Sequence, residues 1–227
     1  MKNYKLLTVS GISIFANWTL MLLFVGLFLF YLWQGATVGA ALAGVTLVGT
    51  LFGCVVLHEL GHAFMARRFG IKTVDITMYP IGGVARLERM PKEPKQELLI
   101  AIAGPAVNLV IAIALFWINT ATGRPVLLEN TLAAFPNNVL SLLMWMNLAL
   151  VGFNMLPAFP MDGGRVLRAG LATVMPFYRA THIAAFVGQV MAVLFIFVGP
   201  FWNPMLIFVG IFVFIGARQE AKHATEM

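Results

Sequence analysis

The 227-residue chain is 60% hydrophobic and only 11% charged, whereas soluble domains carry about a quarter charged residues, so an ordinary water-soluble fold is excluded. A net charge of +6 could suit a nucleic-acid binder, but the placement of the basic residues, described below, assigns them another role, and no nucleic-acid partner is expected. The single cysteine, Cys54, excludes an internal disulfide.

No Asp, Glu, Lys or Arg occurs between Lys5 and Glu59, a stretch long enough for two bilayer crossings at about 20 residues each. Lys2 and Lys5 before this run could open a cleavable signal peptide, but its length and the lack of a clear cleavage site favour a retained helix. Further charge-free stretches cover residues 98–123, 130–161 and 180–217. The last is interrupted at Gly199, Pro200, Asn203 and Pro204, so it reads as two helices with a tight turn. Six crossings are expected, at residues 14–33, 41–65, 98–118, 138–156, 181–198 and 203–217. Between the second and third, Val74 to Tyr79 and Val84 to Leu87 have strand composition, and Pro80, Gly82 and Gly83 supply a turn. A charged loop, Met90 to Gln96, follows.

The expected fold is therefore an all-α polytopic membrane protein with about six transmembrane helices and a small membrane-associated β-hairpin between spans two and three. It forms a single domain over residues 1–227, with a catalytic core at about 41–170. With a cytoplasmic N-terminus, 14 of the 15 Lys and Arg residues fall on the cytoplasmic side and only Arg124 lies outside. Both termini are then cytoplasmic, and the expected location is a prokaryotic cell membrane. The basic residues act as topological markers, with contacts to anionic lipid as a secondary role.

Within the second span, His58-Glu59-Leu60-Gly61-His62 matches H-E-x-x-H. The i, i+4 spacing stacks two imidazoles on one helix face, where both can reach one zinc ion, and sets Glu59 beside them to handle the proton of an activated water. The competing reading, polar packing between helices without metal, would require several buried partners for three costly residues.

A catalytic zinc site takes three protein ligands, so a third is needed from elsewhere. Glu88, Glu93 and Glu97 read as members of a cytoplasmic loop, Glu129 lies on the far side, and Glu220 and Glu226 belong to the tail. Asp75 sits in the hairpin and is a weak candidate. Asp162 stands out as the acid in the apolar, helix-breaking segment LPAFPMDGG, Leu156 to Gly164, although a turn-forming Asp before Gly is the alternative. Both pieces lie just inside the cytoplasmic boundary, since His58 to His62 precede Arg67 and Arg68 while Asp162 precedes Arg165 and Arg168.

Cys54 is one turn before His58 but about 12 Å along the axis from His62, too far to share a metal with it on a straight helix, and reads as a small buried apolar residue. His182 reads as interfacial and His223 as part of the tail. Among the amides in the spans, Asn108 and Asn147 suit helix–helix hydrogen bonds, while Asn154, eight residues before Asp162, could donate to an oxyanion.

HELGH together with NMLPAFPMDGG resembles the site-2 protease family of intramembrane zinc metalloproteases, in its compact type without a PDZ domain. The likeness extends to AGPAVN, Ala103 to Asn108, and to the Gly82-Gly83 hairpin, covering about residues 50–170. The resemblance implies His58, His62 and Asp162 as Zn2+ ligands, Glu59 as general base, Asn154 as a catalytic residue in contact with substrate or oxyanion, and Gly82, Gly83 and Asn108 as substrate-binding. It also implies that the hairpin offers an edge to an extended substrate strand. Relatives of this type often continue into paired CBS modules, and the sequence ends at Met227 without them.

The function expected is intramembrane proteolysis of single-span or membrane-anchored protein substrates in the lipid bilayer. Zinc-activated water and a glutamate base would perform it. A membrane zinc transporter or a metal-binding membrane protein is the alternative; transport would require further ligands along a path through the bilayer, and the outer halves of the spans offer none. The sequence leaves oligomeric state unknown.

Overall fold

The computed structural model describes residues 2–91, 93–128 and 138–225; the expectations for Glu129 and Glu226 fall outside them. The chain divides into two compact units, one of Met1–Met90 with Ala106–Val151 and the other of Pro91–Pro105 with Gly152–Met227.

The first unit opens with a strand pair that the apolar composition concealed. β1 (Asn3–Val9) and β2 (Ile12–Asn17) are antiparallel across Ser10 and Gly11, whose φ angles of 50° and 88° give the two-residue turn that suits strand twist. The expected hairpin is present as β3 (Thr73–Tyr79) and β4 (Gly82–Leu87), but it belongs to a four-stranded sheet of order β1-β2-β3-β4. β2 and β3 are parallel, with Ser13 opposite Asp75 and Ala16 opposite Met78. The turn also differs from expectation: Tyr79 pairs with Gly82, so Pro80 and Ile81 form it and the two glycines start β4.

The first crossing was expected from residue 14, yet the chain stays extended to Asn17. Ile12, Ile14 and Ala16 alternate inward at period two, and the Asn17 side chain then caps α1 (Trp18–Trp33) by accepting from Thr19 N at 3.1 Å. α2 (Val38–Arg68) runs for 31 residues and presents Leu60 and Ala63 to the sheet, where they join Ile14, Ile76 and Met78 in one core. α3 (Pro94–Ala121) begins earlier than expected, and α4 covers Val139–Asn154. Cys54, Ala112, Leu115, Leu143 and Met144 knit α2, α3 and α4 together, so Cys54 is a free, buried member of an apolar cluster, as its sequence context indicated.

In the second unit, a segment at residues 155–161 leads into α5 (Asp162–Leu171), followed by α6 (Phe177–Trp202) and α7 (Met205–Thr225). The α6–α7 connection lies at Asn203, whose side-chain oxygen accepts from Met205 N at 2.9 Å, while Pro200 stays inside α6. The two helices approach so closely that a Cβ on Gly210 would sit 2.7 Å from the Ala192 carbonyl oxygen, the small-residue packing usual between membrane helices. α5 was not expected, because Asp-Gly-Gly reads as a turn.

Among the described residues, three helices, α2, α3 and α6, are long and apolar enough to cross a membrane, and α1 and α4 are shorter apolar helices of 16 residues each. The architecture among the described residues is thus mainly helical with one small sheet, rather than helices with a lone hairpin.

Candidate metal centre

In an α-helix each residue is turned about 100° from the last, so Leu60 and Ala63 face the sheet while His58 and His62 share another face. Both histidines are buried, their rings pack edge to face with centroids 4.7 Å apart, and their Nε2 atoms lie 3.0 Å from each other. Two nitrogens bound tetrahedrally to one zinc at about 2.0–2.1 Å would be about 3.3 Å apart, so the pair is spaced within a few tenths of an ångström of what the ion requires. His58 Nδ1 is meanwhile engaged by the Asn108 amide oxygen at 2.5 Å, which leaves Nε2 as the nitrogen a metal could take. The donor set fits zinc.

Glu59 lies between the two imidazoles in sequence and is partly buried beside β4. A Cβ built on Gly83 would fall 2.7 Å from Glu59 Cγ and 3.1 Å from its Oε1. Only a residue without a side chain lets β4 pass this close to the carboxylate. Gly82, with φ +136°, occupies a backbone region that L side chains rarely adopt.

Behind the histidines, Asn108 of α3 and Asn147 of α4 are both completely buried. Asn108 Nδ2 donates to Asn147 Oδ1 at 2.8 Å, the interhelical hydrogen bond that both amides were expected to make. Asn147 Nδ2 donates back to the Leu143 carbonyl at 2.9 Å and lies 3.5 Å from Cys54 Sγ. Asp75, the weak ligand candidate, is paired with Arg86 across the hairpin, and that carboxylate raises the pKa of the guanidinium above its ordinary value.

In the second unit, Asp162 is the first residue of α5 and is buried. The partial positive charge of a helix N-terminus favours a carboxylate there. The glycines after it have a steric cause. A Cβ on Gly163 would lie 2.2 Å from the Leu156 carbonyl oxygen, and one on Gly164 2.7 Å from Ala158 C and Phe159 N. The first turn of α5 is pressed onto the backbone of the segment that leads into it. Asn154, partly buried, is the last residue of α4.

One residue that sequence reasoning passed over anchors this segment. Arg168, treated as a topological marker, is 1% exposed and donates from Nε to Glu97 Oε1 at 2.9 Å and from Nη1 to Glu220 Oε2 at 3.1 Å. Its guanidinium carbon also lies 4.9 Å from the ring centroids of Phe159 and Phe177. Glu97, expected in a solvated loop, is buried in the first turn of α3, and Glu220 belongs to α7. No local signal distinguishes Arg168 from its solvated neighbours, because its partners lie far away in sequence. His182 packs edge to face against Tyr178, with ring centroids 4.4 Å apart.

The profile of peptidase family M50 matches residues 46–135 and 121–198, which include the HELGH helix and the PMDGG segment. The chain belongs to peptidase family M50, the site-2 protease family. Among curated relatives, it is 42% identical over 173 residues to Zinc metalloprotease MJ0392 of Methanocaldococcus jannaschii, covering 76% of this chain and 48% of the relative. It is 27% identical over 154 residues to Stage IV sporulation protein FB of Bacillus subtilis, covering 67% and 50%. The chain thus spans about half the length of these curated relatives. Its structure is similar to that of the Site-2 Protease from Methanocaldococcus jannaschii, with a TM-score of 0.69 and 36% identity over 97% of this chain and 95% of that one.

Proposed function

We propose that this M50 member is an intramembrane zinc metalloprotease that cleaves transmembrane segments of single-span or membrane-anchored proteins. The observation that carries the reading is the convergence of the His58 and His62 Nε2 atoms at 3.0 Å on an apolar helix long enough to cross a bilayer, with Glu59 beside them. Asp162 is the third ligand in this reading. Each of His58, His62 and Asp162 is buried and offers one ligand atom of a kind that zinc takes.

His58, His62 and Asp162 would hold the zinc, which would supply Lewis acidity to the attacking water and the scissile carbonyl. Glu59 takes the proton from the attacking water and delivers it to the departing amine nitrogen. Asn154 donates its amide hydrogen to the oxyanion. A substrate helix must unwind before attack, because its backbone groups are already hydrogen-bonded, and the β4 edge at Gly82 and Gly83 receives the resulting extended strand by β-augmentation.

We further read α1, α4 and the apolar part of α7 as crossings beside α2, α3 and α6, six in all, in one metalloprotease domain. Both termini then lie in the cytoplasm of a prokaryotic cell, the arrangement supported by the distribution of Lys and Arg.

Cleavage of a model single-span substrate in detergent tests the activity. Chelation should abolish it and added zinc restore it, while Glu59→Gln should lose about 100-fold or more with its zinc content unchanged. Wild-type cleavage by Glu59→Gln would remove the base from the mechanism. Metal uptake into proteoliposomes without any proteolysis would favour a transporter instead.

A further inference from the structure

We propose that Asn147 and Asn108 are positioning residues that fix the tautomer of His58, so that its Nε2 lone pair is available to the metal. The inference rests on the zinc reading and deepens it. Its starting point is the Leu143 carbonyl, which can only accept a hydrogen bond. The side-chain atom of Asn147 that lies 2.9 Å from it must therefore be the NH2 group, whose second hydrogen points towards the weak acceptor Cys54 Sγ at 3.5 Å.

That choice orients everything downstream. Asn147 presents its oxygen to Asn108, so the Asn108 atom 2.8 Å away is its NH2 group. Asn108 then presents its own oxygen to His58 Nδ1 at 2.5 Å, and an oxygen there requires a proton on Nδ1. The neutral ring carries one such proton, so Nε2, the atom facing His62 Nε2 at 3.0 Å, is left with its lone pair. With Asn108 flipped, its NH2 group would face Nδ1, the proton would move to Nε2, and His58 could not bind metal. Asn147 is the lock that prevents the flip.

Both amides are completely buried, so water cannot substitute for a missing partner at little cost. Cys54 acquires a specific task as well: its sulfur faces the second hydrogen of the Asn147 amide.

The test is zinc affinity of the detergent-purified full chain, read by competition with a chelating dye, alongside the 15N resonances of the histidine rings in the metal-free protein. Asn108→Leu should weaken zinc binding about 10- to 100-fold, the usual effect of losing a hydrogen-bond partner behind a metal-bound histidine. Asn147→Leu should weaken it by a smaller factor and show a mixture of His58 tautomers. In the Asn108→Leu background, Asn147→Leu should add nothing, because Asn147 acts only through Asn108. The double variant Asn108→Asp with Asn147→Leu should bind zinc about as tightly as wild type, since a carboxylate offers Nδ1 an acceptor whichever way it turns.

Wild-type affinity and a single tautomer in Asn147→Leu would overturn the proposal. So would losses that simply add in the double leucine variant, the signature of two independent packing defects. Failure of wild type itself to bind zinc would instead sink the underlying metalloprotease reading, so the two failures are distinguishable.

Discussion

Gly83 provides a direct test of how the sheet and the HELGH helix share the site. Gly83→Ala would place a methyl carbon 2.7 Å from Glu59 Cγ and 3.2 Å from its Cδ, whereas carbon atoms normally rest about 3.5–4.0 Å apart. The nearest atoms belong to the Glu59 side chain rather than to backbone, so the carboxylate is what yields, by about 1 Å. A displacement of that size at a reacting group costs on the order of 100-fold in rate. The three atoms nearest the methyl all belong to Glu59 and none to an imidazole, so zinc content and thermal unfolding should stay close to wild type. The assay pairs initial rates of single-span substrate cleavage with metal analysis of the same preparation. Gly53→Ala on α2, where a Cβ meets nothing within 4 Å, serves as the neutral control. If Gly83→Ala cleaves at the wild-type rate, β4 does not position the base. If it loses zinc along with activity, the reasoning that separates Glu59 from the ligands is refuted.

Three further outcomes are expected. Asp162→Ala should lose most of its bound zinc by metal analysis, and full retention would contradict its place as third ligand. Gly163→Ala should be destabilised by about 1–3 kcal/mol or more, seen as a lowered thermal transition in detergent, because its methyl would collide with the carbonyl oxygens of Leu156 and Met155 at 2.2 and 2.4 Å. Arg168→Met should cost about 3–5 kcal/mol by leaving the Glu97 carboxylate buried without its cation, and adding Glu97→Gln should recover part of that loss.

These predictions divide by how local their causes are. The zinc motif was legible in the sequence because its geometry is confined to one helix: a spacing of four residues places two imidazoles on one face whatever surrounds them. Hydropathy likewise identified α2, α3 and α6, since a bilayer requires every backbone group in a crossing to be satisfied within its own segment. The β3–β4 pair was visible for a similar reason, being joined by two residues. β1 and β2 were not, because the period-two alternation of β2 inside a charge-free run cannot be told from the start of a membrane helix, and only pairing with β1 and β3 makes it a strand.

What the sequence by itself determined about this protein is its membrane-type composition and a pair of histidines on one helix face with a glutamate beside them, all set by composition and short-range spacing. Tertiary structure alone decided which amide faces His58 Nδ1, why β4 carries a glycine at Gly83, and that Arg168 is a buried anchor rather than a solvated charge. Each of those depends on a partner at least 20 residues away, 50 for His58 and Asn108 and 71 for Arg168 and Glu97, and no local pattern encodes such a meeting.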